Sequence, residues 1–172
     1  VKPDRMIASM KDSIKNNIDI KANIIVGFPN EKFYQIFQTY KFIFRMAGAG
    51  VHDVSVWTFS AYPGSEIFSD LEGRNLMPRY SDEYFFSLLS SSDLRQGVSW
   101  NQNFSNIQLK VLRVFGLLIF YIASYLFRPS RLVSTFRNLY QGKPSSRMEM
   151  ILNKAIRRHR KVIGSDQVAL NE

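Results

Sequence analysis

Two short stretches carry the residue types that could hold a ligand. "NIIVGFPNE" (residues 23–31) is an apolar run that stops at Gly27-Phe28-Pro29 and turns acidic at Glu31. "VSVWTFSAYPGSEIF" (residues 54–68) does much the same, with Tyr62-Pro63-Gly64 followed by Glu66. A glycine at such a turn lets the backbone come close to a bound molecule, and the main chain released at the end of a strand offers N–H and C=O groups to it. Other chemistry is scarce. The chain has no cysteine, so it can form no disulfide and no thiolate-held metal or iron–sulfur site of its own, which also suits a cytoplasmic protein. Its two histidines, His52 and His159, are far apart and form no metal-ligand spacing.

The elements around these turns follow from periodicity. Met6, Ile7, Met10 and Ile14 recur at helical spacing, which predicts an amphipathic helix over 3–16, ended by Asn16-Asn17. "IDIKANIIVGF" becomes a continuous apolar run rich in β-branched residues, as in a strand buried on both faces of a parallel sheet. From Glu31 a second helix sets Phe33, Ile36, Phe37, Tyr40, Ile43 and Met46 on one stripe and ends at Gly48 and Gly50. "DVSVWTF" is the second strand. Strand, helix and strand make a βαβ unit, so both Gly/Pro turns fall at the carboxyl ends of adjacent parallel strands, the edge where α/β sheets and barrels bind ligands. Two parallel strands need neighbours, and nothing later in the chain matches them in strength. The expectation is that further strands lie upstream of Val1 and that this is the C-terminal end of a larger protein. A short helix over 65–71, another capped by Ser81 with Glu83 just inside it, and helices over about 105–127, 130–140 and 146–162 complete the pattern.

The two motifs, in this order and this βαβ setting, resemble the closing portion of the radical S-adenosylmethionine enzyme barrel. "NIIVGFPNE" resembles its I-I-G-x-P-x-E strand end, and "AYPGSEIF" its Y-P-G-(S/T)-x-(I/L)-(F/Y) strand end. "YSDEYFFSLL" and the basic helical tail are most similar to the cobalamin-binding class. The resemblance implies an α/β fold: the last strands of a parallel (β/α) barrel over residues 1–90, a linker over 91–106, a basic α-helical region over 107–163 and a tail over 164–172. It implies S-adenosylmethionine and a four-iron–four-sulfur cluster in the parent enzyme, with cobalamin as a further cofactor. On one side of the adenine it places Ile25 and Gly27; on the other, Phe59, Ser60, Ala61 and Tyr62. The family's three-cysteine motif is absent, and Asn23 stands where its fifth strand usually has a first glycine. By this reading the chain is inactive alone and works with the missing N-terminal part of the same protein, on a small-molecule or lipid-like substrate.

Simpler readings stand beside these. Gly27-Phe28-Pro29 can be a strand-stopping turn and no more, Glu31 can cap the helix that follows, and His52 reads as a surface or satisfied histidine. Trp57 and Phe59 alternate with residues of the opposite face, so one set is core.

Charge divides the chain. Residues 1–106 balance 11 Lys/Arg against 11 Asp/Glu, whereas 107–172 hold 12 Lys/Arg against Glu149, Asp166 and Glu172, so the whole net charge of +9 lies in the C-terminal third. There "VFGLLIFYIASYLF" (114–127) runs uncharged between Arg113 and Arg128, too short for a bilayer span of about 20 residues. It is either a buried helix or an interfacial one, with Arg113, Arg128, Arg131 and Arg137 facing lipid phosphates. The interfacial alternative describes a non-enzymatic membrane-surface module, peripheral to the inner membrane face. "RRHRK" (157–161) lacks interleaved aromatics and reads as a solvated helix end, so nucleic acid is not an expected partner.

Overall fold

The computed structural model describes residues 2–76, 82–90 and 99–156. The elements are α1 (Pro3–Lys15), β1 (Lys21–Val26), α2 (Phe33–Ala49), β2 (Asp53–Thr58), α3 (Glu66–Gly73), α4 (Asp82–Ser90), α5 (Asn106–Phe127) and α6 (Ser130–Gln141), with a last helical stretch over 147–156. The Ser81 cap and the "RRHRK" run lie outside the described residues, as does the Glu83 side chain.

β1 and β2 pair in parallel, Ile24 opposite Val56 and Ile25 opposite Trp57, with α2 as the crossover. Their fates differ. β2 is buried almost throughout, but Lys21, Asn23 and Ile25 of β1 are exposed. The expectation of a β1 strand buried on both faces is therefore corrected: only its α2 side is covered.

The opposite edge of the sheet is closed by α5. In a parallel ladder alternate residues turn their backbone groups to opposite edges. Asp53 and Phe59 donate to the Ile20 and Val26 carbonyls on the β1 side, so Val54 and Val56 face away. Their groups are met by side chains: Val54 N–H donates to Asp53 Oδ1 (3.0 Å), and Arg113 Nε donates to the Val56 carbonyl (3.0 Å). Arg113 is 0% exposed. It sits inside the protein on the sheet edge, so of the two alternatives for this helix the buried one holds at Arg113 and the lipid-facing one does not. An unpaired buried carbonyl is costly, and a guanidinium on a long stem can reach one from a neighbouring helix.

The main core lies between α2, the sheet and α5, and includes Ile36, Ile43, Met46, Val54, Val56, Leu117 and Phe120. Gly116 permits this contact: a Cβ there would lie 3.4 Å from both Ile43 and Tyr40. Of the expected α2 stripe, Ile36, Tyr40, Ile43 and Met46 are buried, while Phe33 and Phe37 are exposed on its shoulder. α1 adds Ile7 and Met10 to this core.

Arg128 and Arg131 serve the end of α2. Gly50 ends that helix in the left-handed conformation (φ 102°). Arg128 Nη1 donates to the Ala47 carbonyl (3.0 Å), and Arg131 donates to the carbonyls of Gly50 and Val51 (both 2.8 Å) and to Ser124 Oγ (2.7 Å). Cations at a helix C-terminus satisfy its orphan carbonyls and suit its dipole. Three of the four arginines that the interfacial alternative turned to lipid are thus occupied within the fold; Arg137 alone is exposed.

Candidate functional site

The carboxyl edge of the two strands brings the predicted residues together. At the end of β1, Gly27 adopts φ +86°, a conformation that L side chains rarely take. A Cβ there would lie 2.8 Å from Leu109 Cδ1. The close approach at Gly27 is thus to α5 of the same chain, and Leu109 already fills the space beside it.

Glu31 does not cap α2. Its Oε2 accepts from the N–H groups of Gly27 (2.5 Å) and Phe28 (3.3 Å), folding the turn back on itself. Burial raises its pKa, and the two backbone hydrogen bonds oppose that rise. The helix start is instead served by Gln35, whose Oε1 accepts from Lys32 N–H (2.8 Å).

The segment read as a linker is docked on this turn where it is described. Asn101 Nδ2 donates to the carbonyls of Phe28 and Glu31, Asn103 Nδ2 donates to Glu31 O (3.1 Å), and Gln102 N–H donates to Pro29 O (3.1 Å). Asparagine amides are suited to such side-chain-to-backbone bonds. Sequence reading missed these residues, because nothing local to Asn101 names a partner some seventy positions earlier.

At the end of β2, Phe59 stacks on Phe28 with ring centroids 4.8 Å apart. Ala61 is fully buried, and its carbonyl accepts from Tyr84 OH (2.5 Å). The Tyr62 carbonyl accepts from Ser65 Oγ (2.8 Å), and Ser65 caps α3. The donors of this segment are left over: among the described residues, none accepts from the N–H groups of Ser60, Ala61 or Tyr62. Ile25 and Tyr62 are 48% and 56% exposed.

Six residues were expected to meet a ligand, and they divide. Ile25, Ser60 and Tyr62 are open to one, whereas the Gly27 Cα face and the whole of Ala61 are covered by the protein itself. Phe59 is half-buried and packs with Phe68, Leu71 and Tyr84. Beside the turn lies an open cleft of about 480 Å³ lined by Phe28, Pro29, Glu31, Gln35, Glu66 and Asp70, among others. Ile25 and residues 59–62 do not line it.

His52 is remote from this edge. Its Nδ1 accepts from Ile20 N–H (3.1 Å) and its Nε2 faces Asp19 Oδ1 at 2.9 Å, so it ties the entry of β1 to that of β2. No group of three or more His, Asp or Glu among the described residues could hold a metal ion. No family model, curated protein or solved structure matches the chain.

Proposed function

We propose that the chain forms the closing part of a radical S-adenosylmethionine enzyme barrel, of the cobalamin-binding class, and lines the adenine side of its cofactor pocket and part of its substrate chamber. The observation that carries this reading is the pair of N–H groups at Ser60 and Tyr62, which have no partner among the described residues and lie one strand over from the half-exposed Ile25. A purine presents acceptor nitrogens on its edge and an apolar face. Backbone donors serve the first and an isoleucine side chain the second. The Gly27 turn, braced by Glu31, Asn101 and Leu109, holds the end of β1 in place beside them.

The open residues, Ile25, Ser60 and Tyr62, suit an adenine and no more. With no cysteine, this chain supplies no cluster ligand, so the four-iron–four-sulfur site belongs to the rest of the proposed parent. There, bound S-adenosylmethionine would supply hydrogen-abstracting radical chemistry. The free edge of β1, opposite β2, is where a preceding barrel strand would pair.

The test uses the full-length protein, reconstituted anaerobically with iron and sulfide. The expected result is a bound cluster and release of 5′-deoxyadenosine from S-adenosylmethionine on reduction; a protein that takes up neither cluster nor S-adenosylmethionine refutes the reading. Tyr62→Pro deletes one donor and is expected to weaken binding about ten-fold, the worth of one hydrogen bond. Unchanged affinity in a folded variant moves the adenine contact elsewhere.

A further inference from the structure

α5 presents a face that a water-soluble helix does not normally carry. Ile107, Val111, Phe115, Leu118, Ile122 and Leu126 recur every three or four residues, and each is more than 40% exposed. They lie opposite the buried side of the helix, which holds Leu109, Arg113, Gly116, Phe120 and Ser124. From Val111 to Phe127 the one charged residue is the buried Arg113, so the outward face is apolar over about 25 Å of the helix.

By length and composition α5 could cross a bilayer. Its inner side, however, is built into the core, with Arg113 on the edge of β2. Such a helix meets a membrane lying in its plane.

The surrounding charge selects the occupant. Between residues 106 and 156 the only carboxylate is Glu149, which is 2% exposed and accepts from Ser145 N–H (2.6 Å) and Asn138 Nδ2 (3.2 Å). Arg137, Lys143 and Lys154 in the same region are exposed. α6 repeats the pattern: Val133, Phe136 and Tyr140 form an exposed stripe, Tyr140 at 95%, with Arg137 beside it. Two copies packed on this surface would bring cations against cations. A nucleic acid would leave the apolar stripes in water. A further strand would add at the free edge of β1, away from the β2 edge that α5 covers. An anionic bilayer accepts the apolar stripe into its interface and pairs the cations with its phosphates.

We propose that the exposed faces of α5 and α6 dock the protein in-plane on an anionic membrane surface, with Arg137, Lys143 and Lys154 supplying the attraction. The proposal is independent of the cofactor reading: it uses other residues, and vesicle binding needs no cluster and no S-adenosylmethionine.

The test is sedimentation of the full-length protein with phosphatidylglycerol-containing vesicles and with pure phosphatidylcholine vesicles, at low and high salt. Preferential sedimentation with the anionic vesicles and release by salt are expected. Arg137→Gln with Lys143→Gln should weaken partitioning about five-fold per cation removed. Leu118→Gln with Ile122→Gln changes only exposed positions and should weaken it at least ten-fold, while circular dichroism and the thermal transition stay unchanged. Equal binding to both vesicle types, or a soluble monomer that binds neither, overturns the proposal. So does a dimer that Leu118→Gln with Ile122→Gln dissociates, since the face would then join two copies.

Discussion

Gly27→Ala is the most direct probe of how the carboxyl edge is built. At φ +86° an alanine pays the left-handed penalty of about 1–2 kcal/mol that glycine avoids. Its Cβ would also lie 2.8 Å from Leu109 Cδ1, inside any normal contact, and Leu109 is only 2% exposed, so it has little room to turn away. Repacking it adds on the order of 1 kcal/mol, for a total loss of about 2–3 kcal/mol. The two parts separate in a double-mutant cycle. Leu109→Ala alone should cost about 2–5 kcal/mol through the cavity it leaves. Added to Gly27→Ala it should cost about 1 kcal/mol less than that, because the clash is gone while the backbone strain stays. Urea unfolding followed by the fluorescence of Trp57 and Trp100 reads each step. A loss below about 0.5 kcal/mol for Gly27→Ala, or strict additivity of the two changes, would refute the account of this turn.

Two further outcomes follow from the same contacts. Glu31 has a raised pKa in the folded state, so folding takes up a proton there; its stabilising contribution is full below the unfolded value of 4.5 and is lost as pH rises through the higher folded value. Glu31→Gln, whose amide oxygen can still accept from Gly27, should therefore flatten the fall in stability as pH rises above 4.5, and an unchanged pH profile in urea titrations would count against the burial of this carboxylate. Arg131→Met strips the donors from the carbonyls of Gly50 and Val51 and should destabilise the protein by about 1–3 kcal/mol, read as a lower urea midpoint at constant slope. A change within 0.5 kcal/mol would mean that water replaces the guanidinium at the end of α2.

Local pattern by itself determined much of this protein. The β-branched runs around Ile24 and Val56 and the helical stripe between them specified a parallel βαβ unit, because strand and helix periods are properties of a few consecutive residues. The extent of α5 and the placing of Pro129 just before α6 were legible for the same reason. So was the juxtaposition of Ile25 and Gly27 with residues 59–62, since parallel pairing across a helical crossover puts both carboxyl ends on one edge. What each side chain meets was decided only in three dimensions. Arg113 could flank either a buried or an interfacial apolar run, and what settled it was the edge of β2, which needed a donor for Val56 O, a requirement invisible 57 positions away in the chain. Glu31 had two ways to satisfy backbone N–H groups, at the helix start or in the turn before it, and it takes the turn while Gln35 serves the helix start. The same limit governs burial: periodicity sorts residues onto faces, but which face is covered depends on a partner brought from elsewhere. Phe33 and Phe37 of α2, and the outer stripe of α5, have the composition of a core and stand largely exposed because the described fold packs no apolar element across them.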